Sequence, residues 1–184
     1  MSDHTTTHTD TPTHALPDST AALWPHALLI LWLGIMAGFF GTYSANINLA
    51  TLTLDGPTYA LIQSEFNRNV RHFVFFIFFF GVLPIGLTAL AMGWRDRSTA
   101  WWRVTALIVL AYALGIVAFT RAVNLPLNYL TESWTPATLP ADWAATRDAW
   151  NQANLWRACL NLALFALSLW ALISRLTRRQ ATGE

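Results

Sequence analysis

Lysine is missing from this chain: all eleven of its basic residues are arginine. Charge of either sign is scarce. Charged residues make up 11% of 184 positions, against about 25% in soluble domains. The formal net charge of +1 offers no basic surface for nucleic acid, so no nucleic-acid partner is expected. One cysteine, Cys159, excludes an internal disulfide and any Cys-x-x-Cys pair, and with them the four-helix membrane thiol oxidoreductases. A His/Glu metal cluster, a Gly-rich nucleotide loop and Gly-x-Ser-x-Gly are all missing. No metal and no cofactor are expected.

What the chain does have is apolar length. Hydrophobic residues are 54% of it. With histidine neutral, Ser19–Leu54, His72–Trp94, Val104–Thr120 and Ala158–Ser174 carry no charge. A membrane helix takes about 20 mostly apolar residues. The segments predict an all-α fold, a polytopic membrane four-helix bundle with spans over 27–46, 72–92, 103–120 and 156–174. The transmembrane domain is expected over 23–178, with a short C-terminal tail at 179–184. Residues 1–22, MSDHTTTHTDTPTHALPDSTAA, are polar and are expected to be a disordered tail without the basic start of a signal peptide. Its His4, His8 and His14 are read as part of that tail rather than as metal ligands.

Arginine position predicts orientation. Arg95, Arg97 and Arg103 cluster between spans two and three, and Arg175, Arg178 and Arg179 follow span four. Both termini and that short loop are therefore assigned to the cytoplasm, in a bacterial inner (plasma) membrane. Trp94, Trp101 and Trp102 are expected in the aromatic belt on the cytoplasmic side, and Trp134, Trp143 and Trp150 on the outer side. The outer segments before spans two and four read as partly helical. Asp55-Gly56-Pro57 is a turn that opens a helix, and nothing breaks it before Arg71, so span two is expected to begin early. Asp142 opens another helix, with no Gly or Pro up to Leu176, so one long helix is expected to include span four.

Polar residues collect at one end. Trp143, Arg147, Trp150, Asn154, Arg157 and Asn161 are spaced by 4, 3, 4, 3 and 4 residues, which puts them on one helical face. Arg121, Asn124 and Asn128 repeat the spacing after span three; Gln63, Asn67 and Arg71 repeat it before span two. Tyr43, Asn46 and Asn48 end span one. The cytoplasmic end shows only arginine anchors and tryptophans. Asparagine in membrane helices can serve as interhelical glue, and arginine near a helix end can snorkel to water. Snorkelling suits Arg71, Arg121 and Arg147. It suits Arg157 less, because Asn161 lies a turn deeper, and a charge within a span marks a site by default. Gly34, Gly38, Gly41 and Ser44 form a small-residue stripe that predicts close helix packing. Phe73, Phe75, Phe76, Phe78, Phe79 and Phe80 crowd span two as lipid and bundle contacts, some of them able to wall a flat aromatic ligand.

AVNLPLNYLTESW (Ala122–Trp134), followed by Trp143, Arg147, Trp150, Asn154 and Arg157, resembles the anthrone oxygenase family of small four-helix membrane proteins. The family's Asn-x-Pro-Leu-Asn turn looks matched by Asn124 to Asn128, and its Asn-x-x-Arg by Asn154 to Arg157. Its Gln and Asn-Arg before span two look matched by Gln63 and Asn67-Arg68, and its Tyr-Ser ending of span one by Gly41 to Ser44. The His/Thr-rich tail departs from the pattern. The resemblance implies oxidation of an anthrone to an anthraquinone by dioxygen. On that basis Arg157, Asn128, Asn124 and Asn154 are the expected catalytic residues, donors for an oxyanion. Trp150, Arg147, Asn161, Trp134, Asn67 and Gln63 are expected to bind a small aromatic substrate. Glu132 is the nearest carboxylate that could act as a base, although solvent exposure is its simpler fate. The alternative is a non-catalytic protein that binds a small lipophilic molecule or a partner subunit. Membrane lipid is the surrounding partner, and a homo-oligomer stays open. A haem sandwich is disfavoured because His26 and His72 begin antiparallel spans and so fall at opposite membrane faces. A transporter is disfavoured because only span two, with Gly81, Pro84 and Gly86, is interrupted.

Overall fold

A computed structural model describes residues 23–135 and 137–182. The tail expected over 1–22, with its three histidines, lies outside the described residues. Five helices account for nearly all of the rest. α1 (Trp24–Thr51) has Pro25 in its first turn and passes through a π-helical segment at Tyr43–Ile47. α2 (Gly56–Asn69) is capped by Asp55, whose Oδ1 accepts from the Thr58 N–H at 2.9 Å. Gly56 is dictated by packing: a Cβ there would stand 2.7 Å from Trp143 Nε1.

The chain breaks between α2 and α3 (Phe73–Met92), which corrects the expectation of one helix running from Pro57 into span two. His72 is extended, and its Nδ1 accepts from the Phe75 N–H at 3.3 Å. An imidazole at the N-cap thus ends one helix and starts the next without any Gly or Pro. After a 3₁₀ turn at Trp94–Asp96, Thr99 caps α4 (Ala100–Glu132) through its side chain. α4 contains two π-helical segments, Ala113–Ala118 and Thr120–Asn124. α5 (Trp143–Thr182) is a single helix of 40 residues. It is about 60 Å long at about 1.5 Å per residue, twice the hydrocarbon thickness of about 30 Å. It runs past the expected span and through most of the expected 179–184 tail.

Four helices, α1, α3, α4 and α5, are long and apolar enough to cross a membrane. α1 packs against α3 and α5, and α4 packs against the same two, so every neighbour is antiparallel and the bundle closes as a ring. In each span's most apolar window at most 28% of residues are buried, so most of the apolar surface points outward. That is the arrangement lipid requires of a bundle. The inside is a core of Leu29, Leu33, Met36, Val82, Ile108 and Ile116 around Tyr112, whose hydroxyl donates to the Phe79 carbonyl at 2.8 Å.

The end carrying the 93–99 loop is not only an arginine and tryptophan rim. Trp101 is 1% exposed and lies under the Arg175 guanidinium, 4.3 Å from its carbon. His26 is buried beside them, with Nε2 3.2 Å from the Ser168 carbonyl. This corrects the belt position expected for Trp101 and the anchor role expected for Arg175. The cause is helix phase. The inward stripe of α5 continues from Asn161 through Leu164, Ser168 and Ala171 to Arg175, all buried.

Candidate functional site

The other end of the bundle is where the polar stripes meet. Arg157 on α5 is 6% exposed, and no carboxylate pairs with it among the described residues. Its guanidinium donates to Asn154 Oδ1 at 2.8 Å and to Thr120 Oγ1 at 3.3 Å, while Nε has no hydrogen-bond partner. The Phe40 ring centroid lies 4.5 Å from the guanidinium carbon, within cation–π range. Asn154 faces both ways. Its amide nitrogen donates to Ser44 Oγ at 2.8 Å, so it links α1 to Arg157. One turn deeper, Asn161 donates to the Arg157 carbonyl at 2.9 Å and leaves its Oδ1 without a partner.

Above this layer, Trp150 Nε1 donates to Asn128 Oδ1 at 2.6 Å, joining α5 to α4. α2 joins through Thr131. Asn67 donates to the Thr131 hydroxyl at 3.0 Å, Ser64 donates to its carbonyl at 3.1 Å, and Gln63 donates to Asn67 Oδ1 at 2.9 Å. Asn124 stands between Thr120 and Asn128 on α4. It is 1% exposed, and neither its Oδ1 nor its Nδ2 has a partner. A cavity of about 50 Å³ remains in the middle, walled by Phe40, Tyr43, Phe66, Phe75, Trp150 and Arg157 and reached by Asn67 and Asn128.

Of the residues expected to form the site, Arg157, Asn154, Asn161, Asn124, Asn128, Trp150, Asn67 and Gln63 are buried at this end. Two do not join them. Arg147 turns to Asp148 at 2.9 Å and to the Trp143 ring at 5.1 Å, near the start of α5 and off the central cavity. Trp134 lies beyond the end of α4 and is only partly buried. Beneath Arg147, burial pushes the Tyr59 phenol well above its ordinary range, and its hydroxyl has no partner. Glu132 is only partly exposed and is not on the cavity: it pairs with Arg71, whose Nε also donates to the Asn67 carbonyl at 2.8 Å. This hydrogen bond from Arg71 to Glu132 holds the guanidinium in its charged form still more firmly than usual.

The π-helical segments explain the residues that the spacing missed. Arg121 is exposed, and Thr120 takes its place beside Arg157. A π turn bonds i to i+5 and is wider than an α turn, so residues four apart share a face where a mixture of three and four was expected. On α4 this aligns Thr120, Asn124 and Asn128; on α1 it aligns Phe40, Ser44 and Asn48 and leaves Asn46 exposed. The glycine stripe behaves differently from the expectation as well. A Cβ at Gly34 would stand 3.1 Å from the Phe165 ring, but one at Gly38 or Gly41 would meet nothing within 4 Å. Those glycines line a groove between α1 and α5 rather than a tight helix contact.

Such a structure is a helical membrane bundle with a buried, carboxylate-free arginine and orphaned amides at one end. A family model described as Anthrone oxygenase matches residues 70–167, just over half of the chain, and the chain belongs to the anthrone oxygenase family. The match holds α3, α4 and the part of α5 that carries Trp150, Asn154, Arg157 and Asn161; the partners on α1 and α2 lie before it. No curated protein and no solved structure matches the chain.

Proposed function

We propose that this protein is a cofactor-independent oxygenase that converts an anthrone-like phenolic compound to the corresponding quinone with dioxygen. The observation that carries the reading is Arg157: a buried cation with one unpartnered N–H, beside an amide, Asn124, with both polar atoms unpartnered. Preorganised donors of this kind stabilise charge that develops during a reaction. An anthrone CH₂ between two aryl rings and conjugated with a carbonyl loses a proton to give an enolate. Arg157 and Asn154 favour that oxyanion. The enolate passes one electron to dioxygen, the radical pair closes to a peroxide anion at the former CH₂ carbon, that anion takes a proton back, and loss of water from the hydroperoxide leaves the second carbonyl. Overall the CH₂ and O₂ become C=O and H₂O, so no external reductant is consumed.

The central cavity of about 50 Å³ has room for dioxygen or a few waters, given about 10–15 Å³ per water by the same measure. It does not take three fused rings. The ring body therefore lies outside it, with only its oxygen directed at Asn154 and Arg157. We place the polar end on the outer face and both termini in the cytoplasm of a bacterial inner membrane, supported by the arginines of the short 93–99 loop and of the C-terminal segment.

The test is oxygen uptake by purified protein with a panel of anthrones, repeated for Arg157→Ala and Asn128→Ala. Protein-dependent uptake that falls in both variants supports the oxygenase. Rates unchanged in both would sink it. Tight binding of the anthrone without uptake would favour the non-catalytic alternative. Reporter fusions at the two termini test the orientation, which an external C-terminus would overturn.

A further inference from the structure

The groove between α1 and α5 has the features of a site rather than of loose packing. It encloses about 470 Å³ and is apolar, with Gly38, Gly41, Leu155, Cys159 and Phe165 among its lining residues. It continues through Ser44 and Leu155 into a second recess of about 240 Å³, lined by Asn48, Asn151 and Asp148. In that recess Asn48 is 6% exposed, and its Oδ1 has no hydrogen-bond partner; Asn151 Oδ1 is buried and also has none. Two buried acceptors without donors are costly unless a ligand supplies the donors. The groove therefore changes along its length, from apolar at membrane depth to acceptor-rich at the polar end.

Side-chain volume explains why the groove is open. α1 and α5 approach closely at Gly34 and Phe165, and again where Asn154 bonds Ser44. Between these points Gly38 and Gly41 contribute no side chain, and nothing from α5 fills the space. One wall residue leads inward: Ser44 lines the groove and accepts from Asn154, which accepts in turn from Arg157.

We propose that this groove binds a flat, lipid-dissolved aromatic phenol, which enters sideways from the bilayer between α1 and α5. Its rings lie over Gly38 and Gly41, its hydroxyls donate to Asn48 and Asn151, and one oxygen rests against Ser44, which accepts from Asn154 behind it. The assignment rests on the oxygenase reading for the identity of the ligand. The void, its lipid-facing mouth and the orphaned acceptors stand without that reading.

The single cysteine gives a direct test, because Cys159 is exposed and lines the groove. The full chain in nanodiscs is labelled with N-ethylmaleimide, with and without alizarin, a dihydroxyanthraquinone. At about nine-tenths occupancy the labelling rate falls roughly tenfold by mass action. Gly38→Leu, which fills open space, abolishes the protection, and Asn48→Leu weakens it. Leu107→Ala, on the outer surface of α4 and away from the groove, retains it. Circular dichroism verifies that each variant is folded. Equal labelling rates at saturating alizarin would overturn the proposal, and so would protection that survives Gly38→Leu or disappears in Leu107→Ala. Protection without oxygen uptake refutes the oxygenase and leaves the groove; uptake without protection does the reverse.

Discussion

Replacing Arg157 by methionine separates catalysis from stability. A charged side chain in the middle of a membrane helix costs about 2.5–3.5 kcal/mol. Against this Arg157 makes two side-chain hydrogen bonds, to Asn154 and Thr120, each contributing about 0.6 kcal/mol by membrane double-mutant cycles. It also sits over Phe40 at 4.5 Å, a cation–π contact of about 1 kcal/mol. Methionine fills similar volume, removes the charge and leaves Asn154 Oδ1 without its donor, a loss of about 1 kcal/mol. These terms cancel to within about 1 kcal/mol, so unfolding in mixed detergent, followed by helicity, should barely shift. Loss of one preorganised donor should lower kcat by about a hundredfold to a thousandfold, read as oxygen uptake. Destabilisation beyond about 3 kcal/mol would make Arg157 a structural strut and refute the reasoning. Full activity in a folded variant would refute it from the other side.

Three further outcomes follow from the same contacts. Trp150→Phe removes the donor to Asn128 Oδ1 and should destabilise the bundle by about 1–2 kcal/mol; a cycle with Asn128→Leu should recover a coupling of about 0.6–1.7 kcal/mol. Glu132→Gln breaks the partly exposed pair with Arg71, so the thermal midpoint should fall slightly at low salt, by the equivalent of about 0.5–1 kcal/mol, and the gap should narrow at high salt. Asp55 is held below its ordinary value of 3.8 by its bonds to Thr58. Its depressed value means that the cap stabilises α2 above pH 3.8 and that this contribution is lost as pH falls through the lower folded value. Hydrogen exchange of the first α2 amides should speed up at that acid limit in the native chain. It should be insensitive to pH-driven uncapping in Asp55→Asn.

Much of the fold was legible because the bilayer imposes a simple rule on the sequence. Charge-free lengths located the four membrane helices, and the unbroken run after Asp142 foretold the long α5. The stripe from Trp150 to Asn161 foretold the face that meets α4, because a regular α-helix keeps its phase. Local backbone choices were not legible. Nothing in Val70 to His72 announces a break, since the stop depends on an imidazole turning back to cap Phe75. Thr120 was missed, and Ser44 was read as helix packing, because no residue type marks a π turn in advance. Arg175 was misread because a charge after an apolar run looks like an anchor, and only the continued phase of α5 turns it onto Trp101. Glu132 required knowing that α2 brings Arg71 alongside it.

The π-helical segments also set what length changes the chain can absorb. Each holds one more residue than an α-helix of the same rise would need, so α4 carries slack between Tyr112 and Leu125. Deleting a lipid-facing residue there, such as Leu114, lets the segment revert to α-helix. The core below it and Asn128 above it would then keep their places. The same deletion in the all-α stretch of α3 has no slack to draw on and would turn one half of that helix by about 100° against the other. Insertions and deletions should therefore be unevenly tolerated along this bundle, concentrated in the two helices, α1 and α4, that carry a spare residue where they approach the arginine.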